Sequence, residues 1–137
     1  MIIWKRPLDI DSINQFSSHT LVSRLGIKIT EAGDDYLEGT MPVDERTVQP
    51  YRLLHGGASC VLAESLGSIA ASFCIDTNEF MAVGQHIEAT HLRSATKGEV
   101  RGRAKAIYIG KSSQTWRIEI FNDEGKMICD SKIIMAV

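Results

Sequence analysis

The sequence holds 137 residues, 44% of them hydrophobic and 23% charged, with a formal net charge of −2; these proportions describe one globular domain with one core and exclude disordered, collagen-like and coiled-coil chains. So small a charge excludes a general attraction to nucleic acid or an anionic membrane surface, and no run approaches the ~18 apolar residues of a membrane span. Cys60, Cys74 and Cys129 lack metal-type spacing and read as small core residues of a reduced, cytoplasmic protein, and the start Met1-Ile-Ile-Trp-Lys-Arg places its charges after a very short apolar run, unlike a signal peptide.

Residues 8–16 place Leu8, Ile13 and Phe16 at helical spacing, with Asp9 or Asp11 available as a cap, and predict a short amphipathic helix. Residues 26–30 and 36–41 read as two strands of a hairpin joined by residues 31–35, the second closed by Pro42. Residues 43–54 are irregular and of mixed charge, ending with Gln49-Pro50 close before the next element; a loop this long in a small domain is either functional or poorly ordered.

The chain then passes His55-Gly56-Gly57 into about five turns of apolar helix. Ala58, Val61, Leu62, Leu66, Ile69, Ala70 and Phe73 recur at spacings of three and four and make one face, while Ala63, Gly67, Ala71 and Ser72 are small enough for backbone to approach from other sides. A helix of this kind belongs inside a fold. After it come four β-type runs, residues 81–92, 99–108, 114–121 and 127–137, with hairpin-like links and a good turn at residues 122–125. Without crossover helices these strands must be antiparallel. The expectation is a single α+β domain over residues 1–137, a curved antiparallel sheet wrapped around one long central helix.

Within that helix Glu64 and Ser68 share a stripe, and a carboxylate there must be paired, protonated or employed. The amides of Gly56 and Gly57 at the helix start offer an oxyanion site with no side chain in the way. Together they suit thioester hydrolysis, which needs a polarised carbonyl and a carboxylate as nucleophile or general base. Eight residues separate Gly56 from Glu64, which at ~1.5 Å per residue puts them on the order of 12 Å apart. One carbonyl cannot touch both, so this chemistry predicts a two-fold dimer with antiparallel helices and shared sites.

Gln49-Pro50, the run Leu54-His55-Gly56-Gly57-Ala58-Ser59 and the run Leu62-Ala63-Glu64-Ser65-Leu66-Gly67-Ser68 resemble the hotdog-fold acyl-CoA thioesterases, in particular the bacterial PaaI-like branch acting on aromatic acyl-CoAs such as 1,4-dihydroxy-2-naphthoyl-CoA or on misacylated enterobactin carrier protein. The likeness extends from Trp4-Lys5-Arg6 through Met41-Pro42-Val43-Asp44 and Arg46-Thr47 to the run ending at Phe121. It implies Glu64 as nucleophile or general base, Gly56 N–H on the thioester carbonyl, His55 and Gln49 positioning the carbonyl, water or leaving sulfur, and Ser68 at the acyl end. It further implies that the pantetheine and nucleotide of coenzyme A lie along Gly84, the run His91, Leu92, Arg93 and Ser94, and the turn of Tyr108, Ile109, Gly110, Lys111, Ser112 and Ser113. Dimers that pair into tetramers are implied as well. The chain departs from the family at Tyr51-Arg52, where Phe-Gly is common, and at Glu88-Ala89-Thr90-His91, where Asn-Ala-Asn-His is common.

Plainer readings stand beside this one. Glu64 as a structural carboxylate would need an arginine partner. Gly57-Ala-Ser59-Cys60-Val61 lacks the second glycine and preceding strand of a serine nucleophile elbow. His86 and Glu88 share a strand face that His91 does not, so no metal is expected. Arg93, Arg101, Arg103, Lys105 and Lys111 form either a solvated face or, where clustered, a phosphate site. Trp4 and Trp116 read as packing residues. The expected function is hydrolysis of an acyl-CoA or acyl carrier protein thioester to free acid and thiol, with no cofactor beyond the coenzyme A of the substrate; the alternatives are a dehydratase, disfavoured by the Gln49, His55-Gly56 and Glu64 set, and a non-catalytic acyl-carrier binding module.

Overall fold

The structure, a computed structural model, describes residues 1–137. Two short helices, α1 (Ile10–Phe16) and α2 (Leu21–Arg24), precede the hairpin β1 (Lys28–Ala32) and β2 (Tyr36–Pro42); α3 (Gly56–Ser72) follows, and then β3 (Val83–His91), β4 (Glu99–Ile109), β5 (Ser113–Phe121) and β6 (Met127–Ala136). Asp9, not Asp11, holds the N-cap position of α1. The four-residue α2 was not expected, since a single turn is too short to show a period.

The six strands form one antiparallel sheet in the order β1-β2-β4-β5-β6-β3. Both hairpins of the second half are as expected, and Gly125 takes the left-handed conformation (φ 76°) that ends the β5–β6 turn. The link from β3 to β4 is not hairpin-like as expected. It crosses the sheet, leaving β3 at the margin with β6 as its one neighbour. Neither strand's pattern could reveal this, because alternation specifies a face and not a neighbour.

α3 lies in the concave side and packs on β2, β3, β4, β5 and β6. The side it gives the sheet is narrower than its periodicity implied: Leu62, Ala63, Leu66, Ala70 and Ala71 are fully buried, whereas Val61 and Ile69 are only half-buried. Small residues decide the fit. A Cβ on Gly67 would stand 2.6 Å from Ile133 Cγ2, and one on Gly102 of β4 2.7 Å from Leu66 Cδ1, so each glycine lets a side chain of the facing element press onto its backbone. Trp116 is fully buried, donates from Nε1 to Gln114 Oε1 at 2.8 Å, and lies parallel to Trp4 with ring centroids 6.3 Å apart. Trp4 Nε1 in turn donates to Gly33 O at 2.8 Å, tying the N-terminal segment to the first hairpin.

Candidate functional site

Residues 43–55 are ordered by hydrogen bonds among themselves and to Pro42 and Ala95. Thr47, 2% exposed, donates from Oγ1 to Pro42 O at 2.7 Å; His55 N–H donates to Thr47 O and Leu54 N–H to Ala95 O, both at 2.8 Å. Arg52 turns the chain in the left-handed conformation (φ 68°), and Gln49 Oε1 accepts from Tyr51 N–H. This loop delivers an extended His55 to the start of α3 as its N-cap.

His55 Nδ1 accepts from Gly57 N–H at 2.8 Å, so its hydrogen sits on Nε2 and that edge of the ring is a donor. His55 O takes the amides of Ala58 and Ser59. Of the first-turn amides, Gly56 N–H is the one left without an acceptor, the condition an oxyanion site requires. Space is tight around it. A Cβ at Gly56 would stand 2.9 Å from His91 Nε2, and one at Gly57 2.9 Å from His55 Nδ1, so the two glycines let two imidazoles close on the helix start. A cavity of about 360 Å³ here brings together Gln49, Gly56, His91, Leu92, Arg93 and Ser94. Arg93 N–H and Leu92 N–H both donate to Ile128 O, fixing this run to β6.

Glu64 lies two turns further along, on the exposed stripe of α3 beside the marginal strand β3. It is exposed in the single chain rather than set in a closed apolar wall, and none of the ion pairs includes it. That removes the arginine partner the structural reading needed. Its carboxylate rests on Gly84 of β3, and it lines a cavity of about 610 Å³ with Cys60, Ser65, Ser68 and residues of the α1–α2 corner. Burial first, and the Glu64 carboxylate second, push the Cys60 thiol up from its ordinary value, so Cys60 is a poor nucleophile beside it. Burial likewise pushes Cys74 and Cys129 up to about 11.

A third group lies near the opposite end of α3. Tyr108, Gly110 and Lys111 share a cavity of about 810 Å³ with Lys5, Phe80 and Cys74. The Tyr108 ring folds over Gly110, whose N–H donates to Ser113 O at 2.9 Å, and Ser112 O accepts from Val137 N–H at 3.0 Å. Of the basic residues considered for phosphates, Arg101 and Arg103 are committed to Glu38 and Lys105 to Asp35. Arg93 and Lys111 remain free of carboxylates.

One chain therefore holds three separate parts: an amide with Gln49, His55 and His91; a carboxylate with Ser68; and a lysine-bearing turn. Against known families, the thioesterase superfamily model matches residues 51–129. The chain belongs to the thioesterase superfamily. Over 136 residues, 99% of this chain, it is 46% identical to the 1,4-dihydroxy-2-naphthoyl-CoA hydrolase of Escherichia coli (strain K12) and 46% identical to the proofreading thioesterase EntH of Cronobacter turicensis, covering 99% and 98% of those proteins. Among solved structures, a mutant of thioesterase PA1618 from Pseudomonas aeruginosa superposes with a TM-score of 0.97 at 40% identity, covering 98% of this chain and 96% of that one. Thioesterase HI1161 from Haemophilus influenzae gives 0.95 at 42% identity, covering 98% and 94%. The wrapped helix is thus the hotdog fold, and the protein is a thioester hydrolase.

Sequence reasoning passed over Phe16, Leu21, Cys60 and Ser65 in the Glu64 cavity and Lys5 in the Lys111 cavity. Cys60 and Ser65 carried a usable signal, being one turn before and one residue after Glu64. Phe16 and Leu21 carried none, because their approach to α3 is tertiary.

Proposed function

We propose that the protein hydrolyses acyl-CoA or acyl carrier protein thioesters with an aromatic or medium-chain acyl group, in the cytoplasm, with water as co-substrate and coenzyme A entering only as part of the substrate. The observation that carries this reading is that the open Gly56 amide and the unpaired Glu64 carboxylate face different cavities of one chain. Both act on one carbonyl only if a second chain supplies one of them.

β3 suits that assembly. It has nine residues, an unpaired margin, and exposed Val83 at its start with exposed Met81 just before it, and such an edge is a template for another strand. Two copies joined through β3 with antiparallel α3 helices would set the Gly56 end of one helix against the middle of the other, giving two shared sites. The same arrangement would bring the Tyr108–Lys111 turn of one chain toward the His91–Ser94 run of the other, where the nucleotide arm would lie. Pairing of such dimers into tetramers follows the likeness to the family.

In this site the Gly56 amide and the dipole of α3 stabilise the oxygen of the tetrahedral intermediate. Glu64 either attacks the carbonyl carbon, expelling the thiolate and leaving a mixed anhydride that water hydrolyses, or removes a proton from the attacking water. The Nε2–H of His55 is a donor available to the carbonyl or the departing sulfur. Label found in Glu64 after a single turnover in heavy-oxygen water establishes direct attack, since it enters when water cleaves the anhydride at the Glu64 carboxyl carbon and never on the general-base route. The reading itself is tested by thiol release from benzoyl-, naphthoyl- and straight-chain acyl-CoAs with wild type and Glu64→Ala. A loss of about a hundredfold to ten-thousandfold in kcat is expected. Equal activity in the variant, or acyl-CoA binding without turnover in the wild type, sinks it.

A further inference from the structure

Phe16 is the last residue of α1 and is 91% exposed. It stands between two cavities. The first, of about 610 Å³, contains Glu64; the second, of about 600 Å³, continues along the same stripe of α3 and includes Ser72, Phe73 and Arg6. Phe16, Ser17, Ser68 and Ile69 line both, so the two chambers adjoin at these residues. Each has the volume of an ordinary small-molecule site. Arg6 closes the far end, donating from Nη1 to Ser72 O at 2.7 Å with its guanidinium 4.0 Å from the Phe73 ring centroid.

The backbone around Phe16 is held while its ring is not. Ser17 N–H and Oγ both donate to Ile13 O at 3.1 Å, closing α1, and Asn14 of the same helix pairs with Ile29 of β1 through both its side-chain groups. A ring so mounted can change rotamer without disturbing the helix.

We propose that Phe16 is the gate that sets acyl length: a compact acyl group fills the chamber beside Glu64, and an extended one must turn the Phe16 ring to run past Ser68 toward Ser72. This rests on the proposed function in taking the carbonyl to lie at Glu64. From Glu64 to Ser72 the groove follows eight residues of helix, roughly 12 Å. The class held back by the gate is therefore extended acyl chains, whose further methylenes are buried in the second chamber only at the cost of turning the ring.

The test uses coenzyme A thioethers of increasing alkyl length, which bind without being hydrolysed, measured by calorimetry on wild type, Phe16→Ala and Phe16→Trp. In the wild type the gain in affinity per methylene is expected to flatten once the first chamber is full. In Phe16→Ala it continues, and two further buried methylenes move the long-to-short affinity ratio by about tenfold; Phe16→Trp flattens earlier. Parallel length profiles in all three proteins overturn the gate. A parallel profile accompanied by weaker self-association of Phe16→Ala in light scattering also overturns it and assigns the ring to a subunit contact. Thioethers that bind with a Phe16-dependent profile, while the matching thioesters are not turned over, leave the gate standing and remove the hydrolysis reading. Failure of the wild type to bind any thioether removes both.

Discussion

The carboxylate of Glu64 lies directly over the backbone of Gly84, so that a Cβ placed on Gly84 would stand 2.5 Å from Glu64 Oε2 and 3.2 Å from its carboxyl carbon. Gly84 sits where β3 bulges against β6, and the absent side chain is what leaves room for the acid. Gly84→Ala is expected to push the carboxylate aside at its flexible end, lowering kcat by roughly tenfold to a hundredfold through misplacement. Stability should change by no more than about 0.5 kcal/mol, since no core contact is lost. Thiol release and denaturant melts measured together check this; a matching loss of stability would mean the glycine serves the sheet.

Gly56 is the first residue of α3, the position where proline is best tolerated, and the extended His55 before it (φ −68°, ψ 130°) already has the conformation a following proline requires. Gly56→Pro should thus keep the helix while deleting the one N–H assigned to the oxyanion. The expected loss in kcat is about a hundredfold to a thousandfold. Gly56→Ala keeps the N–H and only crowds His91, so it should lose less. Circular dichroism confirms the helix, and equal losses in the two variants would place the defect in the crowding.

Because the amide and the carboxylate face different cavities, Glu64→Ala and Gly56→Pro should complement each other. In a shared-site dimer each hybrid regains one intact site, so equal mixing with subunit exchange restores about a quarter of wild-type activity. Activity is followed after mixing and brief partial unfolding. No recovery from two separately folded, exchanging variants would require both groups of a site to come from one chain.

Gly67 faces the sheet where a Cβ would meet Ile133 Cγ2 at 2.6 Å, a branched position close to the β6 backbone that cannot swing away. Gly67→Ala, a gain in intrinsic helix propensity, should nevertheless destabilise by about 1–3 kcal/mol through overpacking. A shift of the urea midpoint to lower concentration at unchanged slope is the expected reading.

Arg117 on β5 grips Asp130 on β6 with two hydrogen bonds of 3.0 Å and holds its carboxyl below the usual carboxylate range. The lowered value means that the pair's contribution is present above the unfolded aspartate's pKa near ~3.9 and disappears as pH falls through the still lower folded value. With the side chains 46% and 36% exposed, solvent screening holds that contribution to about 1 kcal/mol or less. The stability difference between wild type and Asp130→Asn should be flat from neutral pH down to about pH 5 and vanish in stronger acid. A difference that grows on acidification would contradict the assignment.

Several features were determined by the sequence alone, for reasons that are local. Apolar residues three and four apart made α3, alternation along residues 99–108 made β4, and Asn122 with Gly125 made the last turn, each through interactions that span only a few residues. The candidate site was legible for a similar reason: the Gly56 amide must be open at a helix start, and the rise of the helix alone separates it from Glu64. What the tertiary structure decided are matters of neighbours. It put β3 at the margin beside β6 and made its link to β4 a crossover. It turned Glu64 to the exposed side of α3 beside the marginal strand β3, against Gly84, twenty residues away in sequence. It split the residues assigned to coenzyme A between the two ends of the helix, and it set Phe16 between two chambers. Period and spacing record which face of an element is buried, but the choice of partner is made when backbones come close enough for Gly67, Gly84 and Gly102 to matter, and that is settled by packing over the whole sheet.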